Sequence, residues 1–330
     1  MILSMLEVKN LRISFKTSKG VLTAIDDISF NVDKGETLGI VGETGSGKTI
    51  TSLSIIRLLP NNAISTGKIF FNGLNLLDLP EDKMDEIRGK KISMIFQEPM
   101  TAFDPLYTIG DQFSEVLFKH EHVSKLEAKK RSIEMLRLVG IPEPEKRFYQ
   151  YPHEYSGGMI QRAMIALALL TNPELVIADE PTTGLDVTIQ LQILDLMQKI
   201  QKTSNLSMIF ITHDLGVISK MANKVMVLYL GKIFEFGNVK DVIFNPVHPY
   251  TKGLISSIPT LSTNKNDKLH SIPGNVPSLR EIKSGCRFYS RCPIRMSICE
   301  EKAPELIETS KGHFAACWSL EKNKSVIING

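Results

Sequence analysis

Eight residues, Gly42-Glu43-Thr44-Gly45-Ser46-Gly47-Lys48-Thr49, carry the clearest chemistry in the chain. They fit the spacing G-x-x-x-x-G-K-[ST]. The glycines let the backbone curl until successive N–H groups converge on phosphate oxygens. Lys48 then reaches the β and γ phosphates, and the Thr49 hydroxyl is placed to ligate Mg²⁺. A helix beginning at Lys48 adds the positive end of its dipole. The bland alternative is a glycine-rich turn with a surface lysine. The apolar run before the loop and the helical pattern after it argue against that reading.

Two carboxylates stand at the end of another apolar run, Leu175-Val176-Ile177-Ala178-Asp179-Glu180. In open parallel sheets, ligands gather at the carboxyl ends of strands. At such an end Asp179 would hold Mg²⁺ through water, and Glu180 would polarise an attacking water as general base. Gln97 and His213 end the runs Ile92–Phe96 and Met208–Thr212 in the same way. Each alone is an ordinary structural residue; their shared position moves both toward the site. Ser156-Gly157-Gly158 opens a helical pattern about a hundred residues beyond Lys48. Ser156 fits an N-cap, and the glycines leave backbone N–H groups bare, which makes a second anion site. Two phosphate sites with one phosphate loop make sense if each chain lends its second site to a nucleotide held by another chain.

The elements that must position these groups are legible as patterns. Alternating apolar and polar residues before Val32 read as half-buried antiparallel strands. Thr37–Val41 reads as a strand covered on both faces, followed by a helix from Lys48 through Leu59 that Pro60 stops. Further strands are expected at Lys68–Phe71, Ile92–Phe96, Leu175–Ala178, Met208–Thr212 and Val225–Leu230. Helices are expected at Leu126–Val139, Ser156–Leu170, Thr188–Lys202 and Leu215–Met221. Short buried strands alternating with helices imply an α/β fold with a largely parallel sheet. The stretch from about Phe103 to Tyr151, strand-free in pattern, reads as a helical lobe. A polar linker at Leu261–Lys268 separates a body of residues 1–260 from a tail of residues 261–330.

Composition bounds the function. A chain of 330 residues allows about two domains. Lys plus Arg number 39 and Asp plus Glu 36, a net charge of +3, which offers no stripe for nucleic acid. With 42% apolar and 23% charged residues the chain is globular rather than disordered. The longest apolar run, Ala163–Leu170, falls far short of the roughly twenty residues a bilayer span needs. The N-terminus has no basic start followed by an apolar core, so a secretion signal is not expected. All four cysteines, Cys286, Cys292, Cys299 and Cys317, lie in the tail. Their spacing fits zinc poorly, and four thiolates also suit an iron–sulfur cluster, so a bound metal is expected, with free structural cysteines and disulfides as alternatives. Arg287, Arg291 and Arg295 flank them, as surface charge or as charge offsetting a cluster.

These motifs together resemble the ATP-binding cassette (ABC) ATPases, and within them the ATPase subunits of bacterial dipeptide, oligopeptide and nickel importers. GETGSGKT resembles Walker A, Gln97 in IFQEP the Q-loop, YSGGM with Gln161-Arg162 the signature, LVIADE Walker B, PTTGLD the D-loop and His213 in ITHD the H-loop. QEPMTAFDP, YPHEYSGGM, ADEPTTGLDVT, HPYTKGL and the cysteine tail resemble the peptide-importer group. Tyr155 and Gly184 stand where the wider superfamily usually has leucine and often has alanine.

The resemblance implies a P-loop cassette with a mixed sheet core, an antiparallel β subdomain, a helical subdomain at about 103–170 and a small cysteine-bearing C-terminal domain. It implies ATP hydrolysis by Glu180, His213 and Gln97, with Mg²⁺ held by Thr49, Gln97 and Asp179 and adenine stacked on Phe15. Ser156, Gly157, Gly158 and Asp186 would contact ATP on a second cassette, more often a non-identical one. Two membrane permease subunits and an extracytoplasmic peptide-binding protein complete the implied complex, at the cytoplasmic face of the membrane. Dipeptide-importer ATPases with a similar tail carry a [4Fe–4S] cluster, which the resemblance assigns to the four cysteines. A soluble ABC ATPase acting on DNA or ribosomes fits less well, because the chain has one cassette and no long coiled coil between Lys48 and Ser156.

Overall fold

The apolar runs that end in the candidate site residues all form strands. In the computed structural model, which describes residues 4–258, 271–282 and 284–320, the chain divides into two units. The linker expected at Leu261–Lys268 lies outside the described residues.

The first unit contains Val32–Glu36 and Asn72–Ile211. Three parallel strands, Ile92–Ile95, Leu175–Asp179 and Ser207–Ile211, are its sheet, with Ile95 opposite Ala178 and Asp179 opposite Ile211. The second and third are buried at every residue, as strands without polar alternation require. Helix Val187–Ser204 makes the crossover that parallel neighbours need. The stretch read as a helical lobe holds Ile109–His120, Lys125–Leu138 and Pro144–Arg147, with no strand among its described residues. Thr108 and Asp111 form a reciprocal capping box on the first of these, and Ser124 caps the second.

The second unit contains Leu6–Asn31, Thr37–Phe71 and the described residues from Thr212 onward. Strand Leu6–Thr17 lies between Gly20–Val32 and Ala63–Phe71, the antiparallel part expected from alternation. A mixed sheet accompanies it. Thr37–Val41 runs parallel to Lys224–Tyr229, which pairs antiparallel with Lys232–Asn238. Lys232–Asn238 pairs in turn with His313–Ala315, and that strand with Ile307–Ser310. The tail thus extends a sheet that begins beside the phosphate loop.

One sequence expectation needs correction here. The helix after the loop runs Lys48–Ile55, not to Leu59, and Pro60 does not stop it. Arg57, at φ 53°, turns the chain first, and Leu58 N–H closes the end on the Leu53 carbonyl at 2.9 Å.

A buried carboxylate ties the tail to the preceding segment. Glu235, fully buried, accepts from the backbone N–H of Val247 at 2.8 Å and of His248 at 3.0 Å, and lies 2.7 Å from His313 Nε2. Burial pushes the His248 imidazole down to about 3, so it stays neutral, and its Nδ1 accepts from Tyr250 N–H at 3.0 Å. Replacing Glu235 by alanine strands two amide donors and an imidazole. We expect Glu235→Ala to destabilise the unit by about 3–5 kcal/mol, seen as a lowered thermal unfolding midpoint. Glu235→Gln, which keeps an acceptor, should lose less; an alanine variant melting with the parent would contradict the role.

Candidate functional site

Sterics dictate the glycines of the phosphate loop. A Cβ on Gly42 would sit 2.2 Å from the Leu228 carbonyl oxygen, and one on Gly47 2.4 Å from Ile25 Cδ1. Gly47 also has φ 104°, the left-handed region that side chains disfavour, and is the N-cap of helix Lys48–Ile55. Lys48 is buried, with Nζ donating to the Gly42 carbonyl at 2.8 Å and the Glu43 carbonyl at 3.3 Å. The buried Ser46 hydroxyl has no hydrogen-bond partner among the described residues. A loop with curled backbone, buried cation and spare hydroxyl suits an anion. Thr44, Gly45 and Thr49 are exposed. Phe15 is half-buried on the strand Leu6–Thr17, opposite Ala63. His213, exposed, follows Thr212, whose N–H donates to the Ile40 carbonyl at 3.2 Å.

In the first unit the strand ends bring Gln97 and Glu180 together. Gln97 Nε2 donates to Glu180 Oε2 at 3.4 Å, and the Thr183 hydroxyl donates to the same oxygen at 3.0 Å. Asp179 is 2% exposed. Glu180 has φ 47°, a left-handed conformation for a non-glycine residue, and its N–H is held by the Ile211 carbonyl at 2.9 Å. Strain of that kind persists only where surrounding bonds enforce it, and it collects at functional positions.

The Ser156 turn has the predicted geometry. Its hydroxyl accepts from Met159 N–H at 3.3 Å, and Ser156 and Gly157 are exposed. Tyr155 is buried and its hydroxyl donates to the Arg147 carbonyl at 3.0 Å, which anchors the turn. Gln161, 2% exposed, donates to the Pro181 carbonyl at 2.6 Å and so links the helix opened by this turn to the turn after Glu180. Asp186 caps Val187–Ser204 by accepting from Ile189 N–H at 2.9 Å.

In the tail, Cys286, Cys292, Cys299 and Cys317 are free thiols, which sets disulfides aside. All four line one small cavity, with His248, Phe288 and Trp318 among its other walls. Burial pushes the Cys286 thiol up to about 12. No group of three or more His, Cys, Asp or Glu among the described residues is placed to hold a metal ion. Arg287 and Arg291 are not surface charge, nor are they spent on the thiols, whereas Arg295 is exposed. Arg287 donates to the Leu230 carbonyl and to Asp26 Oδ2 at 2.8 Å; Arg291 donates to the Glu43 carboxylate at 2.6 and 3.0 Å. Arg295 lies over the Tyr289 ring at 5.9 Å. Sequence reasoning missed the Arg287–Asp26 and Arg291–Glu43 pairs because each joins residues more than two hundred positions apart.

Comparison with known proteins agrees with this geometry. The ABC transporter family model matches residues 25–183, and the model of the oligopeptide/dipeptide transporter C-terminal region matches residues 234–299. The chain is 51% identical over 318 residues to the oligopeptide transport ATP-binding protein OppD of Bacillus subtilis, covering 96% of this chain and 89% of that one. It is 49% identical to the dipeptide transport ATP-binding protein DppD of Lactococcus lactis, covering 96% and 91%. The ATP-binding cassette MJ0796, solved as a dimer bound to ADP and Pi, superposes with a TM-score of 0.64 at 27% identity, over 71% of this chain and 99% of that one. A glycine-walled phosphate loop, a serine-capped glycine turn and a strained acid at a strand end, in this order and at this similarity, place the chain in the family of ABC transporter ATP-binding subunits, among the oligopeptide and dipeptide transport proteins.

Proposed function

We propose that this chain hydrolyses ATP to power import of di- and oligopeptides through a membrane complex. The observation that carries the reading is the phosphate loop, with its sterically required glycines, buried Lys48 and partnerless Ser46 hydroxyl. The names of the relatives favour peptides over nickel as the transported solute.

In this reading the amides of Gly42–Thr49 wrap the ATP phosphates, and Lys48 leaves its carbonyl partners for the β and γ phosphates. Phe15 stacks on the adenine. Thr49, Gln97 and Asp179 are the Mg²⁺ ligands; the ion, when bound, neutralises charge developing on the phosphates. Glu180 polarises the attacking water, with Gln97 and His213 orienting it and the γ-phosphate. Ser156, Gly157, Gly158 and Asp186 face ATP held by a second cassette. Their support is the exposure of Ser156 and Gly157 and of Val187 and Leu191 on the helix Asp186 caps. ATP favours the closed pair because only that state offers it both sets of contacts.

We assign the second cassette to a non-identical subunit, with two permease subunits and a peptide-binding protein completing the importer. No helix among the described residues is long and apolar enough to cross a membrane, which suits attachment at the cytoplasmic face through the permeases. For the tail we propose a [4Fe–4S] cluster on Cys286, Cys292, Cys299 and Cys317, supported by their shared cavity.

We expect Glu180→Gln to keep ATP binding while lowering turnover by a factor on the order of 10²–10⁴; turnover within tenfold of the parent would show that another group activates the water. Lys48→Ala should lose nucleotide binding itself, measured with a fluorescent ATP analogue. Anaerobically purified protein should be brown, with iron and acid-labile sulfide in equal amounts. Colourless protein with stoichiometric zinc would overturn the cluster.

A further inference from the structure

Glu43 is the one acidic residue of the phosphate loop, and groups outside the loop hold it at both ends. Its N–H donates to the Tyr250 hydroxyl at 2.9 Å. Its carboxylate receives both arms of the Arg291 guanidinium, Nη1 to Oε2 at 2.6 Å and Nη2 to Oε1 at 3.0 Å. The Arg291 side chain is 4% exposed and that of Glu43 27%. Arg291 is locked from behind: Nε donates to the Pro273 carbonyl at 3.0 Å, Nη2 to the Ile272 carbonyl at 3.4 Å and Nη1 to the Tyr229 hydroxyl at 3.3 Å. Tyr229, Tyr250 and Phe288 pack against one another with ring centroids 4.7, 5.3 and 5.4 Å apart.

The far side of Arg291 is a turn framed by two of the thiols. Cys286 carbonyl accepts from Tyr289 N–H at 2.9 Å, Phe288 carbonyl from Arg291 N–H at 3.0 Å and Tyr289 carbonyl from Cys292 N–H at 3.3 Å. Cys286 N–H donates to the Cys299 carbonyl at 2.7 Å. The turn that aims the guanidinium is therefore the turn that carries Cys286 and Cys292. At the loop end, the Glu43 carbonyl is also one of the groups holding Lys48 Nζ, at 3.3 Å.

We propose that Arg291 is a positioning residue for nucleotide binding: through Glu43 it holds the phosphate loop in its binding shape, and through the Cys286–Cys292 turn it makes that shape depend on how the thiols are arranged. The proposal rests on the reading of Gly42–Thr49 as the seat of the ATP phosphates. The two-armed geometry matters as well as the charge, because a lysine supplies a point charge where the guanidinium supplies a planar fork. Removing Arg291 takes away the carboxylate's two-armed hold, which lets the loop shift from its binding shape.

The test is equilibrium titration of the full chain with a fluorescent ATP analogue in the presence of Mg²⁺. Arg291→Gln should weaken binding roughly tenfold, the scale of ordinary coupling between sites. Arg291→Lys should recover part of that loss, and adding Glu43→Gln to Arg291→Gln should cost nothing more. Cys292→Ala should weaken binding in the parent and leave Arg291→Gln unchanged. In the assembled ATPase, Arg291→Gln should raise KM for ATP with kcat nearly kept, a split that general loss of fold does not produce.

Parent-like affinity in Arg291→Gln, beside a Lys48→Ala protein that no longer binds, would overturn the clamp and leave the phosphate loop reading intact. Parent-like affinity in Lys48→Ala would bring down the loop reading itself. Equal weakening by Cys292→Ala in both backgrounds would refute the relay from the thiols. If circular dichroism shows Arg291→Gln unfolded, Arg291→Lys decides: binding at parent affinity overturns the proposal.

Discussion

A loop that must offer its own backbone to phosphate has few side chains left with which to hold itself in place. That constraint shapes the second unit. Gly42 cannot carry a Cβ, because the Leu228 carbonyl occupies the space, and Gly47 holds a φ of 104° that side chains disfavour. With three of its eight positions given to glycine, the loop takes its rigidity from elsewhere, from the Tyr250 hydroxyl on one end of Glu43 and the Arg291 guanidinium on the other. The Lys48 side chain fills the concavity and pins two loop carbonyls. An anion can take over the lysine without the surrounding scaffold having to move, which is what preorganisation of a charged site means.

The first unit meets a different demand, that of aiming short acids from the ends of parallel strands. The strands there are buried throughout, so their ends are positioned by sheet register rather than by loop packing. Glu180 departs from the strand at once, in a left-handed conformation fixed by the Ile211 carbonyl. Its carboxylate therefore turns toward Gln97 and Thr183, while the carboxylate of Asp179 stays buried. The Gln161–Pro181 bond ties this turn to the helix that the serine–glycine turn opens. The Glu180 turn and the serine–glycine turn are thus mechanically linked within one unit.

Much of this was legible in the sequence, for reasons that can be named. Thr37–Val41, Leu175–Asp179 and Leu215–Met221 are apolar patterns bounded by strong punctuation, and they form where the pattern places them, to within a residue. Ser156 caps its helix because its short side chain reaches an N–H three residues on. What failed was long-range. Lys232–Asn238 did not read as a strand because fully buried Glu235 interrupts it, and only the N–H groups of Val247 and His248 and the ring of His313 make that acid tolerable. Arg291 looked like surface or cluster charge because its partner, Glu43, is 248 positions away. The Lys48 helix ended early because Arg57 adopts φ 53°, a backbone choice no periodicity records.

The account stands on the amides of the phosphate loop being what ATP touches. Hydrogen–deuterium exchange of residues 42–49, compared with and without saturating MgATP, addresses that contact without relying on any substitution. Exchange at the loop amides should slow markedly on binding, while solvent-exposed turns outside the loop, such as Lys311–Gly312, keep their rates. Unchanged exchange across 42–49 in protein shown to be saturated with nucleotide would mean that ATP sits elsewhere, and the account would be wrong.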